Sequence, residues 1–488
     1  MVDVPSFDSL FIGGKWVAPA SDRRFELRSP STGELLASAP EAVEADVDAA
    51  IAAARDAFDN GPWPRMSAAE RGAIMDRFYD LFIEHSNELA ELITAEVGSP
   101  LLFSHFGQVG ASGMTLDFFR NLVKSYEFEQ VRDGMLGPVL VRREPVGVCA
   151  GIIPWNVPIF ITMLKLAPAL ASGSCIILKP SPETPISVLR LAQLIEQAGV
   201  PAGVVSVLPA GREVGEHLVT APGIDKVSFT GSTAAGRRIG ALCGERLRRV
   251  TLELGGKSAA VVMPDADFVE VAPQLLPYGI MNNGQACVAQ TRILVPRSRY
   301  DEAVEAFSNA VSALKVGDPA EMDTDVGPLI AERQRDRVEG YIAKGIAEGA
   351  RVAVGGGRPD SESGWFVEPT LFVDVDNKMT IAQEEIFGPV LAMIAYEDID
   401  DAIEIANDSD FGLSGSVWGP DVDAALDVAR QIRTGTVSIN GFAMEWSAPF
   451  GGFKDSGLGR ELGPEGLEAY LEDKSIALPA GYEPTLTQ

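Results

Sequence analysis

With 488 residues, 46% of them hydrophobic and 22% charged, the chain has the composition of a globular protein large enough for two or three cores. Its 40 basic and 69 acidic residues give a net charge of −29, which opposes nucleic acid and anionic membrane surfaces, since both need Lys/Arg-rich faces. Four cysteines with no close pair and three scattered histidines (His85, His105, His217) give no basis for a disulfide framework or a metal centre.

The N-terminal run Met1-Val2-Asp3-Val4-Pro5 lacks the basic start and apolar core of a secretory leader. No apolar stretch approaches the roughly 20 residues of a membrane span. The expectation is a cytoplasmic, metal-free protein.

Residues 41–59 carry an Ala-rich helical pattern, and Ser67-Ala68-Ala69-Glu70 is a capping box that opens a long amphipathic helix ending at Gly98. From Val146 onward the pattern changes to short apolar runs alternating with helical segments. Strands are predicted at 148–153, 174–178, 204–208 and 226–229, with helices at 159–171, 186–198 and 234–243. This alternation implies right-handed crossovers and a mostly parallel sheet. A second alternating series begins at Ala259, with strands near 292–295, 390–395 and 414–418 and helices at 300–314, 332–348 and 422–432. The Gly/Pro/Asp-rich stretch 355–364 reads as a surface connection.

Asn282-Asn283-Gly284-Gln285-Ala286-Cys287 sets one thiol in a polar segment, whereas Cys149, Cys175 and Cys243 lie in apolar or helical runs as small buried hydrophobes. A polar, partly accessible setting is one that can lower a thiol's pKa, a shift that sequence alone does not show. Glu253, in Leu252-Glu253-Leu254-Gly255-Gly256, is a carboxylate where a strand breaks into glycines. Thiol and carboxylate together are what an acyl-enzyme mechanism with a water-activating base requires.

Phe229-Thr230-Gly231-Ser232 follows a strand and opens a helix, a place for a pyrophosphate on free backbone N–H groups. Its Gly-x4-Gly spacing is not the usual dinucleotide fingerprint, and an ordinary strand-to-helix turn reads the same way. Pro154-Trp155-Asn156-Val157-Pro158 ends another strand in a rigid turn, where the Asn amide is either an oxyanion donor or a turn former. Glu385-Ile386-Phe387 offers a further carboxylate and an aromatic before a strand.

Together with Lys179-Pro180-Ser181 and Pro449-Phe450-Gly451-Gly452-Phe453-Lys454, these motifs, in this order and over nearly the whole chain, resemble the aldehyde dehydrogenase superfamily. The resemblance implies an α/β fold: a Rossmann-like cofactor domain (residues 1–122 and 146–255), an α/β catalytic domain (256–455) and a small bridging, oligomerising β-sheet (123–145 and 470–488) that builds a homodimer or homotetramer. It implies Cys287 as nucleophile, Asn156 with the Cys287 N–H as oxyanion donors, Glu253 as the base for thioester hydrolysis, and Lys165 and Glu461 as a proton relay. Ile153, Trp155, Lys179, Ser181, Gly231, Ser232, Gly255, Glu385 and Phe387 are implied at the cofactor.

That cofactor is expected to be NAD. Pro182 stands where NAD-preferring relatives carry a Glu, with Glu183 one position later, so NADP stays open. By motif position, Val157, Phe160, Ile161, Leu164, Met281, Met444, Trp446 and Phe450 line an apolar tunnel for aliphatic or aromatic aldehydes. Glu445 beside Trp446 leaves a cationic aminoaldehyde as the alternative. Coenzyme A as acyl acceptor and a non-enzymatic role on the same fold are the remaining readings.

Overall fold

The computed structural model describes residues 4–360 and 363–486. The first three residues of the N-terminal run, two residues of the predicted 355–364 connection and the last two of the 470–488 segment lie outside the described residues.

Two parallel sheets organise the chain. In the first, Val205–Val207, Cys175–Lys179, Val148–Ile152, Lys226–Thr230 and Arg249–Glu253 lie side by side in that order, all parallel. All but Arg249–Glu253 are buried along their whole length, as a parallel sheet covered by helices requires. The chain starts at the central strand, Val148–Ile152, builds outward on one side, then returns to place Lys226–Thr230 on the other. The strand order therefore reverses between Val148–Ile152 and Lys226–Thr230, and the loops beyond their carboxyl ends open a crevice.

Antiparallel additions close both edges. Leu10–Ile12 and Lys15–Val17, a hairpin not anticipated from the sequence, extend one side. Gly457–Leu458 pairs with Leu252 and Glu253 on the other.

In the second sheet the order is Arg351–Val354, Thr370–Val373, Val390–Tyr396, Arg292–Pro296, Ala259–Val262, Gly415–Trp418 and Ser438–Ile439. Only Arg351–Val354 runs antiparallel. Alternate residues feed two separate cores: Val261, Leu294 and Ile394 on one face, Val262, Ile293 and Met393 on the other. Its amino ends point at the crevice, because Cys287 and Glu385 lie just before Arg292–Pro296 and Val390–Tyr396.

A third sheet joins Glu129–Arg132, Val139–Pro145 and Leu471–Ala477, with the last two antiparallel along seven residue pairs.

The predicted helix from the capping box to Gly98 is two helices, Ala68–Glu84 and Ser86–Val97. His85 breaks it: its backbone leaves helical geometry (φ −98°, ψ 12°), and its ring Nδ1 lies 2.7 Å from Glu88 Oε2. The capping box and the left-handed Gly98 stop are as read. The predicted helix 422–432 ends at Ala429. Between Leu101 and Ser125 lies a helix the sequence did not announce, and its segment Ser104–Gly110 is π-wound.

Candidate active site

A cavity of about 250 Å³ lies in the crevice between the two large sheets. Its wall includes Trp155, Asn156, Val157 and Ile161 from the central strand's loop and following helix, Gly231 and Ser232 from the next turn, and Gly255 beyond Glu253. Opposite them stand Cys287, Glu385 and Phe387 from the second sheet's amino ends. Side chains separated by more than 200 positions thus meet around one thiol.

The segment carrying Cys287 is an unusual piece of backbone. Asn282, Asn283 and Gly284 are all left-handed (φ 53°, 62° and 74°), a conformation that Asn and Gly tolerate better than other residues. Side-chain amides hold it in place. Asn283 Nδ2 donates to the carbonyls of Gly98 (2.9 Å) and Pro328 (2.8 Å), and its Oδ1 accepts from Gly327 N–H (2.7 Å). Gln285 Oε1 accepts from Ile330 N–H at 3.0 Å.

Gly284 could carry no side chain, since a Cβ would lie 2.0 Å from the Gly388 carbonyl oxygen. The polar spelling of the segment is therefore its scaffold. Asn156 joins the same arrangement: its Nδ2 donates to the Gln285 carbonyl at 2.9 Å, leaving a second N–H on an amide that faces the cavity.

Cys287 is half-buried, the other three thiols fully so. Its polar neighbours do not lower its pKa. Burial, then the carboxyls of Glu385 and Glu253, push it up to about 12, against a smaller pull from the N–H groups of Cys287 and Val288. Sequence polarity was a poor guide because the polar neighbours are consumed in bonding the backbone.

Glu253 does not line the cavity. It is 3% exposed, and neither carboxyl oxygen has a hydrogen-bond partner within the protein. Burial and the charge of Glu461 raise its pKa well above the carboxylate range, while Lys165 and Arg460 act the other way. Behind it, Lys165 Nζ lies 2.7 Å from Glu461 Oε1 and donates to Thr230 Oγ1 at 2.8 Å. Ser228 Oγ donates to the same Glu461 oxygen at 3.2 Å. Glu461 is placed by reciprocal backbone hydrogen bonds with Phe450, of 2.6 and 2.7 Å.

Glu385 is anchored from two directions. Its Oε1 accepts from Gly256 N–H at 3.0 Å, and its carbonyl accepts from Arg337 Nη2 at 2.6 Å. Burial raises its pKa. Phe387 is left-handed (φ 64°) and meets Trp155 edge-on, with ring centres 5.2 Å apart. A strained aromatic held at a cavity wall is a common mark of a functional position.

The turn after Lys226–Thr230 suits a dinucleotide. Ser232 caps the 13-residue helix Thr233–Glu245 by accepting from Ala235 N–H, and the other first-turn N–H groups face outward at the helix's positive end. A Cβ on Gly255 would crowd Glu385 Oε2 at 2.9 Å, so the bare backbone keeps that wall of the cavity open.

The remaining predicted residues sit farther back. Lys179 is buried and donates to the carbonyls of Ala210 (2.7 Å) and Pro180 (3.1 Å), and burial lowers its pKa to about 8. Ser181 Oγ bonds Glu183, whose carboxylate pairs with Arg333. Ile153, Phe160, Leu164 and Phe450 are buried in the main core, with Met281, Met444 and Trp446 half-buried against it. Trp446 Nε1 donates to Thr115 Oγ1 at 3.0 Å.

Two wall residues escaped the sequence reading, Gln334 and Arg337. They lie three apart on the helix Glu332–Ala347, the spacing of one helix face, but Glu-Arg-Gln-Arg-Asp-Arg reads as a solvated surface. Gln334 Nε2 donates to the Phe387 carbonyl at 2.7 Å.

Among the described residues no cluster of His, Cys, Asp or Glu could hold a metal ion, and no helix is long and apolar enough to cross a membrane.

A doubly wound sheet with a glycine turn at its switch point is the arrangement of a dinucleotide-binding enzyme, and here it faces a thiol and a nearby buried carboxyl. The chain belongs to the aldehyde dehydrogenase family, whose sequence profile matches residues 16–476. It is 46% identical over 470 residues to geranial dehydrogenase of Castellaniella defragrans, covering 96% of this chain and 98% of that one.

Among solved structures it is similar to Mycobacterium tuberculosis aldehyde dehydrogenase complexed with NAD+, with 50% identity, TM-score 0.97, and coverage of 99% of this chain and 100% of that one. A mutant of aldehyde dehydrogenase C from Pseudomonas syringae, complexed with NAD+ and octanal, matches with 41% identity and TM-score 0.94 over 97% and 98% of the two chains.

Proposed function

We propose that the protein oxidises an apolar aldehyde to its carboxylic acid with NAD, through a thioester on Cys287. The observation that carries this reading is the single cavity shared by Cys287, Asn156, Gly231, Ser232, Gly255, Glu385 and Phe387.

The first turn of Thr233–Glu245, with Gly231 and Ser232, would hold the pyrophosphate, and Glu385 and Phe387 the nicotinamide end, as the free N–H groups and the open wall at Gly255 permit. Bound there, the dinucleotide supplies a hydride acceptor.

The thiol of Cys287 gives up its proton to solvent water as its sulfur bonds to the aldehyde carbon, placing negative charge on the carbonyl oxygen. The free N–H of the Asn156 amide and the Cys287 backbone N–H receive that charge. Loss of hydride from the same carbon leaves a thioester. Glu253 then takes a proton from water, whose oxygen attacks the thioester carbon and expels the Cys287 sulfur, releasing the acid. Lys165, Thr230, Ser228 and Glu461 form a hydrogen-bonded set beside Glu253, and a water bridging Glu253 to that set would pass the proton on.

The apolar substrate class rests on Val157, Ile161 and Leu254 in the cavity wall, and on relatives named for geranial and solved with octanal. NAD is preferred because the similar structures hold it and because the Glu183 carboxylate adds negative charge to the turn after Lys179, although Arg333 offsets part of it. The enzyme is proposed to be cytoplasmic and a homodimer or homotetramer. Supporting assembly, the outer edge of Leu471–Ala477 has no strand beside it among the described residues, and Ile476, Met135 and Leu136 on that sheet and its hairpin are exposed.

Steady-state rates with octanal, geranial, benzaldehyde, succinic semialdehyde and betaine aldehyde, each with NAD and NADP and without coenzyme A, test the reading. A higher kcat/KM for octanal or geranial with NAD is expected. Preference for succinic semialdehyde, or a strict need for coenzyme A, would refute it.

A further inference from the structure

The π-wound segment Ser104–Gly110 has no evident structural need for its extra residue, and such segments recur at functional sites. It turns Gln108 into the interior, where the side chain is fully buried. From Gln108 a continuous line of hydrogen bonds runs to the catalytic loop. Gln108 Nε2 donates to Ser99 Oγ at 2.8 Å, and Ser99 Oγ donates to Asn282 Oδ1. Asn282 Nδ2 donates to the backbone carbonyl of Asn156 at 2.9 Å and, more weakly, to that of Gln285 at 3.4 Å.

The direction of this line is forced. Asn282 faces two carbonyl oxygens, which accept only, so its amide nitrogen must point at them and its oxygen must point away. That oxygen needs a donor, and Ser99 has one proton to give. The Ser99 oxygen must then accept, which fixes the amide nitrogen of Gln108 toward it. Gln108 Oε1 is left buried with no partner in the protein, the one group in the line that is unsatisfied.

At its far end the line grips two carbonyls together. One belongs to Asn156, the other to Gln285, and the Asn156 side-chain amide also bonds the Gln285 carbonyl. Asn282 therefore sets the spacing between the oxyanion amide and the loop two residues before Cys287. Its side chain is buried while it does so.

We infer that Gln108 is a positioning residue for catalysis: through Ser99 and Asn282 it aims the Asn156 amide at the carbonyl oxygen of the aldehyde on Cys287. This rests on the oxyanion role proposed above for Asn156. Gln108 itself touches neither substrate nor dinucleotide. Replacing it removes the donor that anchors the Ser99 hydroxyl, so Ser99 and the Asn282 side chain bonded to it can shift, and with them the two carbonyls that Asn282 holds. Misdirection of one donor should cost less than its removal, which lowers rates by roughly 100- to 1,000-fold in other acyl-transfer enzymes.

The test is a double-mutant cycle on the rate of the first turnover, read as reduced dinucleotide formed from octanal and NAD in the full-length enzyme. Gln108→Leu should slow that step about tenfold, with the affinity for NAD and the KM for octanal within twofold of the parent. Ser99→Ala, a smaller change one bond along the line, should reproduce the loss and covers the case in which Gln108→Leu does not fold. In an Asn156→Ala background neither change should slow the step by more than twofold, because the group being aimed is gone. Equal losses in both backgrounds, or a first turnover within twofold of the parent in either single variant, would overturn the inference. An Asn156→Ala enzyme as fast as the parent would instead remove the oxyanion reading on which it stands.

Discussion

Lys165 Nζ and Glu461 Oε1 lie 2.7 Å apart in the interior, with side chains 0% and 3% exposed, directly behind Glu253. The two charges act on Glu253 in opposite senses: Glu461 raises its pKa and Lys165 lowers it. The pair is thus placed to set the pH at which the buried carboxyl becomes a base. Glu461→Gln should move the acidic limb of thioester hydrolysis to lower pH, and Lys165→Met should move it to higher pH. Lys165→Met should also destabilise the fold by about 3–5 kcal/mol, since it leaves the buried Glu461 charge alone. A pH profile of acid release for each variant checks the signs, and identical profiles would separate the pair from the base.

The division of labour between thiol and carboxyl gives two distinguishable kinetic defects. Cys287→Ala should form no reduced dinucleotide yet keep its affinity for NAD. Glu253→Gln should release about one equivalent of reduced dinucleotide per site in a burst and then turn over slowly, because the thioester forms but is not hydrolysed. Stopped-flow absorbance resolves both, and steady rates equal to the parent in either variant would break the assignment.

The raised pKa of Cys287 makes a third expectation. With the thiol pushed up to about 12 by burial and by Glu385 and Glu253, only a small thiolate fraction exists at neutral pH in the free enzyme. Alkylation of Cys287 by iodoacetamide should therefore rise about tenfold per pH unit from pH 7 to 9, with no plateau in that range. Glu385→Gln should speed it at every pH by removing a neighbouring negative charge. A plateau near pH 7 would mean the thiol ionises far more easily than its surroundings allow.

The sequence displayed the parts that a single short stretch can encode. Gly231-Ser232 and Pro154-Trp155-Asn156 are turns at strand ends, and the Cys287 loop needs the left-handed backbone that Asn282, Asn283 and Gly284 tolerate, so all three were marked in place. The apolar runs that become parallel strands were readable for the same reason. What could not be read depends on partners far along the chain. Gln334 and Arg337 look like solvent-facing residues until their helix is laid against the 385–387 loop. The pairing of Gly457–Leu458 with Leu252 and Glu253 crosses about two hundred residues with only two residues to mark it. The π segment and the Gln108–Ser99–Asn282 line have no local spelling at all. The thiol's pKa was not legible either, because it is set by burial and by Glu385 and Glu253, which are not its neighbours in sequence.

Gly256 approaches the Cys287 loop so closely that a Cβ there would lie 2.2 Å from the Cys287 carbonyl oxygen. That oxygen is backbone and cannot swing aside, so Gly256→Ala must displace the nucleophile's loop or the strand end that carries Glu253. Reacting groups held for bond formation lose about 100-fold in rate from a displacement near 1 Å. Gly256→Ala is expected to lose at least that much in kcat with a smaller change in stability, checked by turnover of octanal alongside thermal melting. Near-parent turnover would show that the glycine is not required by this contact.

Glu96, three residues before Ser99, offers a test read on stability and not on turnover. Its buried carboxyl accepts from the N–H groups of Ile186 (2.7 Å) and Ser187 (3.2 Å) at the start of the helix Ile186–Gln197. Burial outweighs these bonds and pushes its pKa up to about 7, from an ordinary value of 4.5. Between those two pH values the folded chain holds a proton that the unfolded chain has released. The resulting stabilisation is full below pH 4.5 and is lost as pH rises through 7, for a total on the order of 3 kcal/mol. Glu96→Gln removes the titration while keeping an acceptor at the helix end. The melting temperature of the parent minus that of Glu96→Gln should therefore fall steadily from pH 4.5 to 8. A difference that stays flat or rises with pH would show that Glu96 titrates no higher than an exposed carboxylate.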